Sequence, residues 1–464
     1  MKKLASRCMC SFLLSVACLG SLAYVPESSG AAPDTPSSIL LENVRIFDGK
    51  SPRVSGSTNV LIVGPMIKSI SSTPLASTET SVARIDGGGR VLMPGLIDAH
   101  WHSMFIATTP LVGLVSDVGY LNLLAAVQAK ATLMRGFTTV RDMGGSSFSL
   151  KQATDEGAVI GPRIYPSGAM ITVTSGHGDF RQMYEIPRVI GGPLTRMEQI
   201  GASLIADSPD EVRIRVREQL MQGASQIKLT AGGGVASPHS PLDVSTYTLP
   251  ELRAAVEAAD NWGTYVAVHA YTSRAVRTAL DAGVKCIEHG HLIDDATAKL
   301  IAEKQVWWSL QPFILEEGAN QFPEGSQEAE KKKEVAAGTD RAYALAKKYK
   351  IKTAWGSDIL FSPILAKGQN AMLTRLVRWY TPAETLIMAT STNAQLLAMS
   401  GNRNPYPGKL GVVEEGAYAD LLLVDGNPLE NIQLLDDPAK NLVVIIKNGV
   451  IAKSALTPAN RTSP

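Results

Sequence analysis

Cysteine is scarce. The 464 residues hold four, and three of them, Cys8, Cys10 and Cys18, fall near the start. With that stretch removed only Cys286 remains, so no intrachain disulfide can form even in an oxidising compartment, and stability must come from a core. An excess of either charge is missing too. Lys and Arg number 44 against 43 Asp and Glu, which leaves no global field to favour nucleic acid or an anionic membrane surface. The chain shows no repeat at solenoid periods and no low-complexity tract. It has no glycine-rich phosphate loop after its first strand-like run in the barrel region.

One apolar run stands out at residues 11–25, behind the basic Lys2, Lys3 and Arg7 and ahead of Ser29-Gly30-Ala31-Ala32. That pattern reads as a cleavable leader over residues 1–32 and an exported protein, periplasmic or secreted. The run is short for a bilayer and lacks a stop-transfer flank, so no stable membrane span is expected after processing. Ser15-Val16-Ala17-Cys18 is a weaker match to a lipoprotein box, because Ser15 stands where Leu is usual.

The full chain is 45% hydrophobic and 19% charged, a balance that suits a soluble enzyme with a substantial core. Short alternating strands occupy residues 39–85 and return at 419–424 and 442–451, with turns at Asp425-Gly426 and Asn448-Gly449. Neither group can bury a face alone, so the two are expected to pair into one small β-sandwich, from residues 33–93 and 408–464. Between them, over 94–407, apolar strand-like runs (91–96, 138–140, 163–167, 226–229, 265–268, 286–288, 306–310 and 352–355) alternate with helical patterns such as 121–135, 210–223, 249–263 and 327–350. Eight such runs predict an α/β fold, a (β/α)₈ TIM barrel, with an open doubly wound sheet as the competing architecture.

Most of the seven histidines sit where these strands end. His100 and His102 close the first strand in Asp98-Ala99-His100-Trp101-His102, a spacing that turns both rings to one side. His269 ends the fifth strand, His289 the sixth and Asp358 the eighth. In a barrel all these tips converge on one mouth, and imidazoles with a carboxylate suit Zn²⁺ or a similar divalent ion. Lys228 ends the fourth strand. A lysine facing a barrel interior is costly unless neutralised or modified, and a desolvated amine can capture CO₂ as a carbamate.

His-x-His on strand one, Lys on strand four, His on strands five and six and Asp on strand eight resemble the amidohydrolase superfamily. So do Pro94-Gly95-Leu96-Ile97-Asp98, the 136–142 segment and Ala419-Asp420-Leu421. The resemblance runs from about residue 40 to 450 and is strongest to the imidazolonepropionase-like branch, with its exported Xaa-Pro dipeptidases, carboxypeptidases and ochratoxinase-like amidases. It implies two divalent metal ions, zinc expected. His100, His102 and Asp358 would bind the more buried ion, and His269 and His289 the second, with carbamylated Lys228 bridging them. It further implies metal-bound hydroxide attacking an amide, with Asp358 passing the proton to the departing amine. His177, in Ser175-Gly176-His177-Gly178, resembles a substrate-side donor to the oxyanion, and Tyr271 the tyrosine that contacts a substrate carboxylate.

The expected partner is a small amide or dipeptide, with homo-oligomerisation open. The leading reading is cleavage of an amide bond to a C-terminal amino acid, in dipeptides, N-acyl amino acids or ochratoxin-type conjugates. The rivals are a cyclic-amide hydrolase resembling imidazolonepropionase and a non-catalytic binding barrel. Arg181, Arg188 and Arg196, in the long 172–208 segment at the barrel mouth, are candidates to pair with a carboxylate. Trp307, Trp308 and Phe313 are candidates for an apolar wall. Lys331-Lys332-Lys333 reads as a solvated helix face, Arg141-Asp142 as a buried ion pair, His291 and His239 as structural, and Gly232-Gly233-Gly234 as room for a substrate.

Overall fold

The computed structural model describes residues 38–75, 82–315 and 322–456; the leader expected over 1–32 lies outside them. Eight parallel strands form a (β/α)₈ barrel. They are Leu96–Trp101, Phe137–Asp142, Arg163–Pro166 continued by Met170–Thr172, Ile227–Thr230, Val266–Thr272, Cys286–Leu292, Trp307–Leu310 and Thr353–Trp355. Two seams lie between the hydrogen-bonded sheets. At one, Ser225 N–H donates to Pro166 O at 2.7 Å, carrying strand three onto strand four. At the other, Asn393 spans strands one and eight, its Nδ2 donating to Ile97 O and Trp355 O, each at 2.8 Å. Gly356 lets strand eight press on strand one, because a Cβ there would meet His100 N at 2.4 Å.

Helices follow the strands where apolar periodicity predicts them, as Val118–Met134, Pro209–Met221, Leu249–Asp260 and Gln327–Lys348. Their starts carry explicit signals. Ser208 caps the second of these ahead of Pro209, Thr248 and Glu251 form a capping box on the third, and Ser326 caps the fourth.

The two chain ends build an eight-stranded sheet, in which Leu421–Val424 pairs Val91–Pro94 antiparallel and Val91–Pro94 pairs Ser38–Phe47 parallel. The sheet curls so that Ile67 N–H donates to Ala417 O at 2.9 Å, enclosing Leu41, Val60, Ile62, Leu421 and Val444.

The run expected as the first barrel strand, 91–96, is split. Val91–Pro94 belongs to the outer sheet, and the barrel strand starts at Leu96. Pro94 has no N–H to continue a ladder, and Gly95 N–H turns away to Asp420 O at 2.8 Å. Among the described residues no helix is long and apolar enough to cross a membrane.

Candidate active site

Lys228, His269 and His289 sit inside their strands rather than at the ends, and Asp358 lies past the last residue of strand eight. The barrel tilt still gathers them. Asp358 Oδ1 lies 3.2 Å from both His100 Nε2 and His102 Nε2, and its Oδ2 is 3.9 Å from His289 Nδ1. Lys228 Nζ is 3.4 Å from His100 Nε2. The His269 and His289 rings stand 4.5 Å apart, and His100 and His289 5.0 Å.

Each imidazole is tethered at one nitrogen. His100 Nδ1 donates to Glu288 Oε2 at 2.8 Å, His102 Nδ1 to Gly144 O at 3.1 Å, and His289 Nδ1 to Gln311 Oε1 at 2.7 Å. His269 is held by the other nitrogen, Nε2 donating to Gly233 O at 2.8 Å. Four rings thus have one nitrogen fixed by an oxygen acceptor and the other left for a ligand role, the arrangement metal-binding histidines require. Asp98 stitches the two strand tips that carry His100 and Asp358, accepting from His100 N–H and Ser357 N–H, each at 3.0 Å.

Backbone strain is concentrated at the same place. His289 has φ +74° and Asp358 φ +50°, both left-handed. A pleated strand sends neighbours to opposite faces, yet Glu288 and His289 both reach the interior around His100. The reversal at His289 makes that possible.

The electrostatics favour neutral bases. Burial pulls His100, His269 and His289 well below the usual histidine range, with the nearby Lys228 adding to the effect, and takes His177 down to about 3. Burial also lowers Lys228, against the pull of Glu288 and Asp358. For Glu288 burial acts upward, but Arg141 and Lys228 outweigh it and keep the carboxyl below its ordinary value. Neutral imidazoles beside a carboxylate are what a divalent cation needs. Donor atoms of His100, His289 and Asp358 lie within 4.8 Å of one another, so this donor set fits a metal ion.

The centre opens into a cavity of about 330 Å³ whose lining includes His177, Tyr271, Phe180, Phe313 and Phe361. Ser237 Oγ accepts from Gly178 N–H at 2.9 Å and stands 2.9 Å from His177 Nδ1. Donation of the hydroxyl proton to Nδ1 leaves the ring's own proton on Nε2. The Tyr271 ring lies 4.9 Å from His269 and 5.1 Å from His289.

Several expectations need correction. None of the three arginines of the 172–208 segment lines the cavity. Arg181 pairs with Asp179 at 2.6 Å, Arg188 with Glu211 at 2.7 Å, and Arg196 donates to Leu114 O and Ser116 O. Arg141 pairs with Glu288 at 2.6 Å rather than with Asp142, which accepts from Ser103 N–H and Gly144 N–H. Lys331 is half-buried rather than fully solvated. Its Nζ donates to Gly234 O, Ser237 O and Ser240 O at 3.3, 2.9 and 2.9 Å, and Lys332 lines the cavity. The glycine run makes room for the protein itself, since a Cβ on Gly234 would meet His177 Nδ1 at 2.0 Å and one on Gly233 would meet Pro241 O at 1.6 Å. Trp307 and Trp308 are core, and Trp308 Nε1 holds His289 O at 2.7 Å; only Phe313 of that trio reaches the cavity. His291 is buried, its Nε2 donating to Gln311 O at 2.9 Å, while His239 is exposed.

The amidohydrolase family model matches residues 91–452. The chain belongs to the amidohydrolase family. It is a hydrolase of amide bonds. Ochratoxinase of Aspergillus niger is 30% identical over 377 residues, covering 78% of this chain and 76% of that protein. A solved amidohydrolase superposes with a TM-score of 0.82 at 34% identity, over 90% of this chain and all of that one. A prolidase solved with N-methylphosphonate-L-proline gives 0.82 at 32% identity, with the same coverage.

Proposed function

We propose that the enzyme is a binuclear metal-dependent amidohydrolase that cleaves the amide bond to a C-terminal amino acid, in dipeptides, N-acyl amino acids or ochratoxin-type conjugates. The observation that carries this reading is the convergence of His100 Nε2 and His102 Nε2 on Asp358 Oδ1, with the His289 ring and Lys228 alongside. His100, His102 and Asp358 would hold one ion and His269 and His289 the other, with Lys228 carbamylated between them. Its buried amine, which burial shifts toward the neutral form, would add to CO₂ and release a proton to solvent. When bound, divalent metals supply Lewis acidity toward water and toward an amide carbonyl.

The protein's own groups do the rest. Asp358 takes a proton from the attacking water and delivers it to the departing nitrogen. His177, with its proton on Nε2, donates to the oxygen that gains charge. Tyr271, set against His269 and His289, orients the substrate beside them. The ochratoxinase and prolidase likenesses support an amide to an amino acid. Zinc is the expected metal, and residues 1–32 favour a periplasmic or secreted enzyme; mass analysis of the exported product reads the cleavage position.

The zinc-reconstituted enzyme should release free amino acids from N-acyl amino acids and dipeptides, with turnover abolished by chelation. Ring opening of cyclic amides alone, across such a panel, contradicts the assignment.

A further inference from the structure

The four imidazoles of the candidate metal centre are not backed alike. His100 Nδ1 donates to a carboxylate, Glu288 Oε2, at 2.8 Å. The other oxygen of that carboxylate accepts from Arg141 at 2.6 Å, and the guanidinium keeps the group ionised. The other three rings lean on uncharged oxygens: His102 on Gly144 O, His269 on Gly233 O and His289 on the side-chain amide of Gln311.

An ionised acceptor draws the ring proton toward itself and makes the opposite nitrogen a stronger base toward a cation; an amide oxygen does so less. The direct ligands reinforce the difference. Asp358 Oδ1 stands 3.2 Å from both His100 Nε2 and His102 Nε2, so this carboxylate serves that pair. The His289 nitrogen 3.9 Å from Asp358 Oδ2 is the Nδ1 that Gln311 already holds.

Gln311 is firmly set for its task. It follows strand seven and is fully buried. Its Nε2 donates to Ser309 O at 3.3 Å, which turns Oε1 toward His289. Its backbone oxygen accepts from His291 Nε2 and from Phe313 N–H, each at 2.9 Å. His291 thereby clamps the residue that orients His289.

We infer that the chain grades its two ion sites. The Arg141–Glu288–His100 relay makes the site of His100, His102 and Asp358 the tight one, while Gln311 leaves the site of His269 and His289 weaker and exchangeable. Gln311 is a positioning residue that acts through His289, and activity follows the supply of free divalent cation while the first ion stays bound. This rests on the binuclear reading above and deepens it.

The test dialyses the zinc-loaded enzyme against graded free zinc set by a chelator, and counts bound zinc per chain by elemental analysis. Wild type should release its ions in two steps separated by about 100-fold or more in free zinc, with activity lost at the first release. Q311L should weaken the looser step by about 10-fold or more and leave the tight step in place, whereas E288Q should move the tight step toward the looser one. Q311E, which keeps the shape and adds a carboxylate, should tighten the looser step. A purely structural role for Gln311 would shift both steps together. Release of both ions in one step, or a looser step unmoved in both Q311L and Q311E, overturns the grading while the binuclear reading stands. A wild-type chain that takes up fewer than two ions at any free zinc overturns both.

Discussion

Glu288 Oε2 accepts a hydrogen bond from His100 Nδ1 at 2.8 Å, and the other oxygen of the same carboxylate is held by Arg141 at 2.6 Å and by Cys286 Sγ at 3.0 Å. All four side chains are buried. The relay fixes His100 with its proton on Nδ1 and leaves Nε2 facing Asp358. E288Q should therefore weaken metal binding about 10- to 100-fold, read as apparent Kd by chelator competition. Unchanged affinity would show that the pair serves packing alone.

His177 depends on Ser237 for its tautomer. H177N should lower kcat by about 10²-fold or more with a smaller effect on KM, and S237A should lower it about 10-fold. Equal losses in kcat for a substrate whose carbonyl is already strongly activated would argue against an oxyanion role.

Lys331 fastens the loop that carries Ser237. Its three carbonyl contacts predict that K331M loses about 1 kcal/mol of stability in urea, since the group is only half-buried and solvent screens it. The same variant should lower kcat, because the backbone around Ser237 is freed. Intact kcat with reduced stability would separate the two effects.

Acid should destabilise the fold through its buried histidines, against an opposing contribution from Asp98, whose carboxyl burial raises to about 6. His291 is drawn down to about 4 and His177 to about 3, chiefly by burial, while an unfolded histidine titrates near 6.5. Below ~6.5 the unfolded chain binds protons that the folded one refuses, so stability falls as pH drops, by up to about 1.4 kcal/mol per unit for each such group. Urea midpoints should decline between pH 7 and pH 5, and H291N should flatten the slope. A midpoint independent of pH over that range would contradict this.

Much of the site was legible because a barrel imposes its own geometry. Once eight apolar runs alternate with helices, His100, His102, Lys228, His269, His289 and Asp358 must share one mouth, whatever their separation along the chain. Less legible was anything set by side-chain reach across strands. Glu288 sits beside His289, and alternation would turn it to the opposite face; only the left-handed φ at His289 brings both inward. Arg181 and Arg188 looked available because their acidic partners, Asp179, Asp207 and Glu211, carry no mark of pairing in the sequence, and Arg196 because its acceptors are the distant backbone carbonyls of Leu114 and Ser116. Lys331 and Lys332 looked solvated among acids, yet their helix faces the loop after strand four and the cavity. The split at Pro94-Gly95 was readable in principle, since proline cannot extend a ladder.

The most direct measurement is elemental analysis of the active enzyme, paired with D358N. Asparagine tolerates the left-handed backbone at this position, so D358N should fold with a near-native Tm. Two equivalents of divalent transition metal per wild-type chain are expected, lost with activity on chelation and restored with it, while D358N falls by about 10³-fold in kcat. Full activity in protein free of such metal, or in D358N, would contradict the metal-centred site.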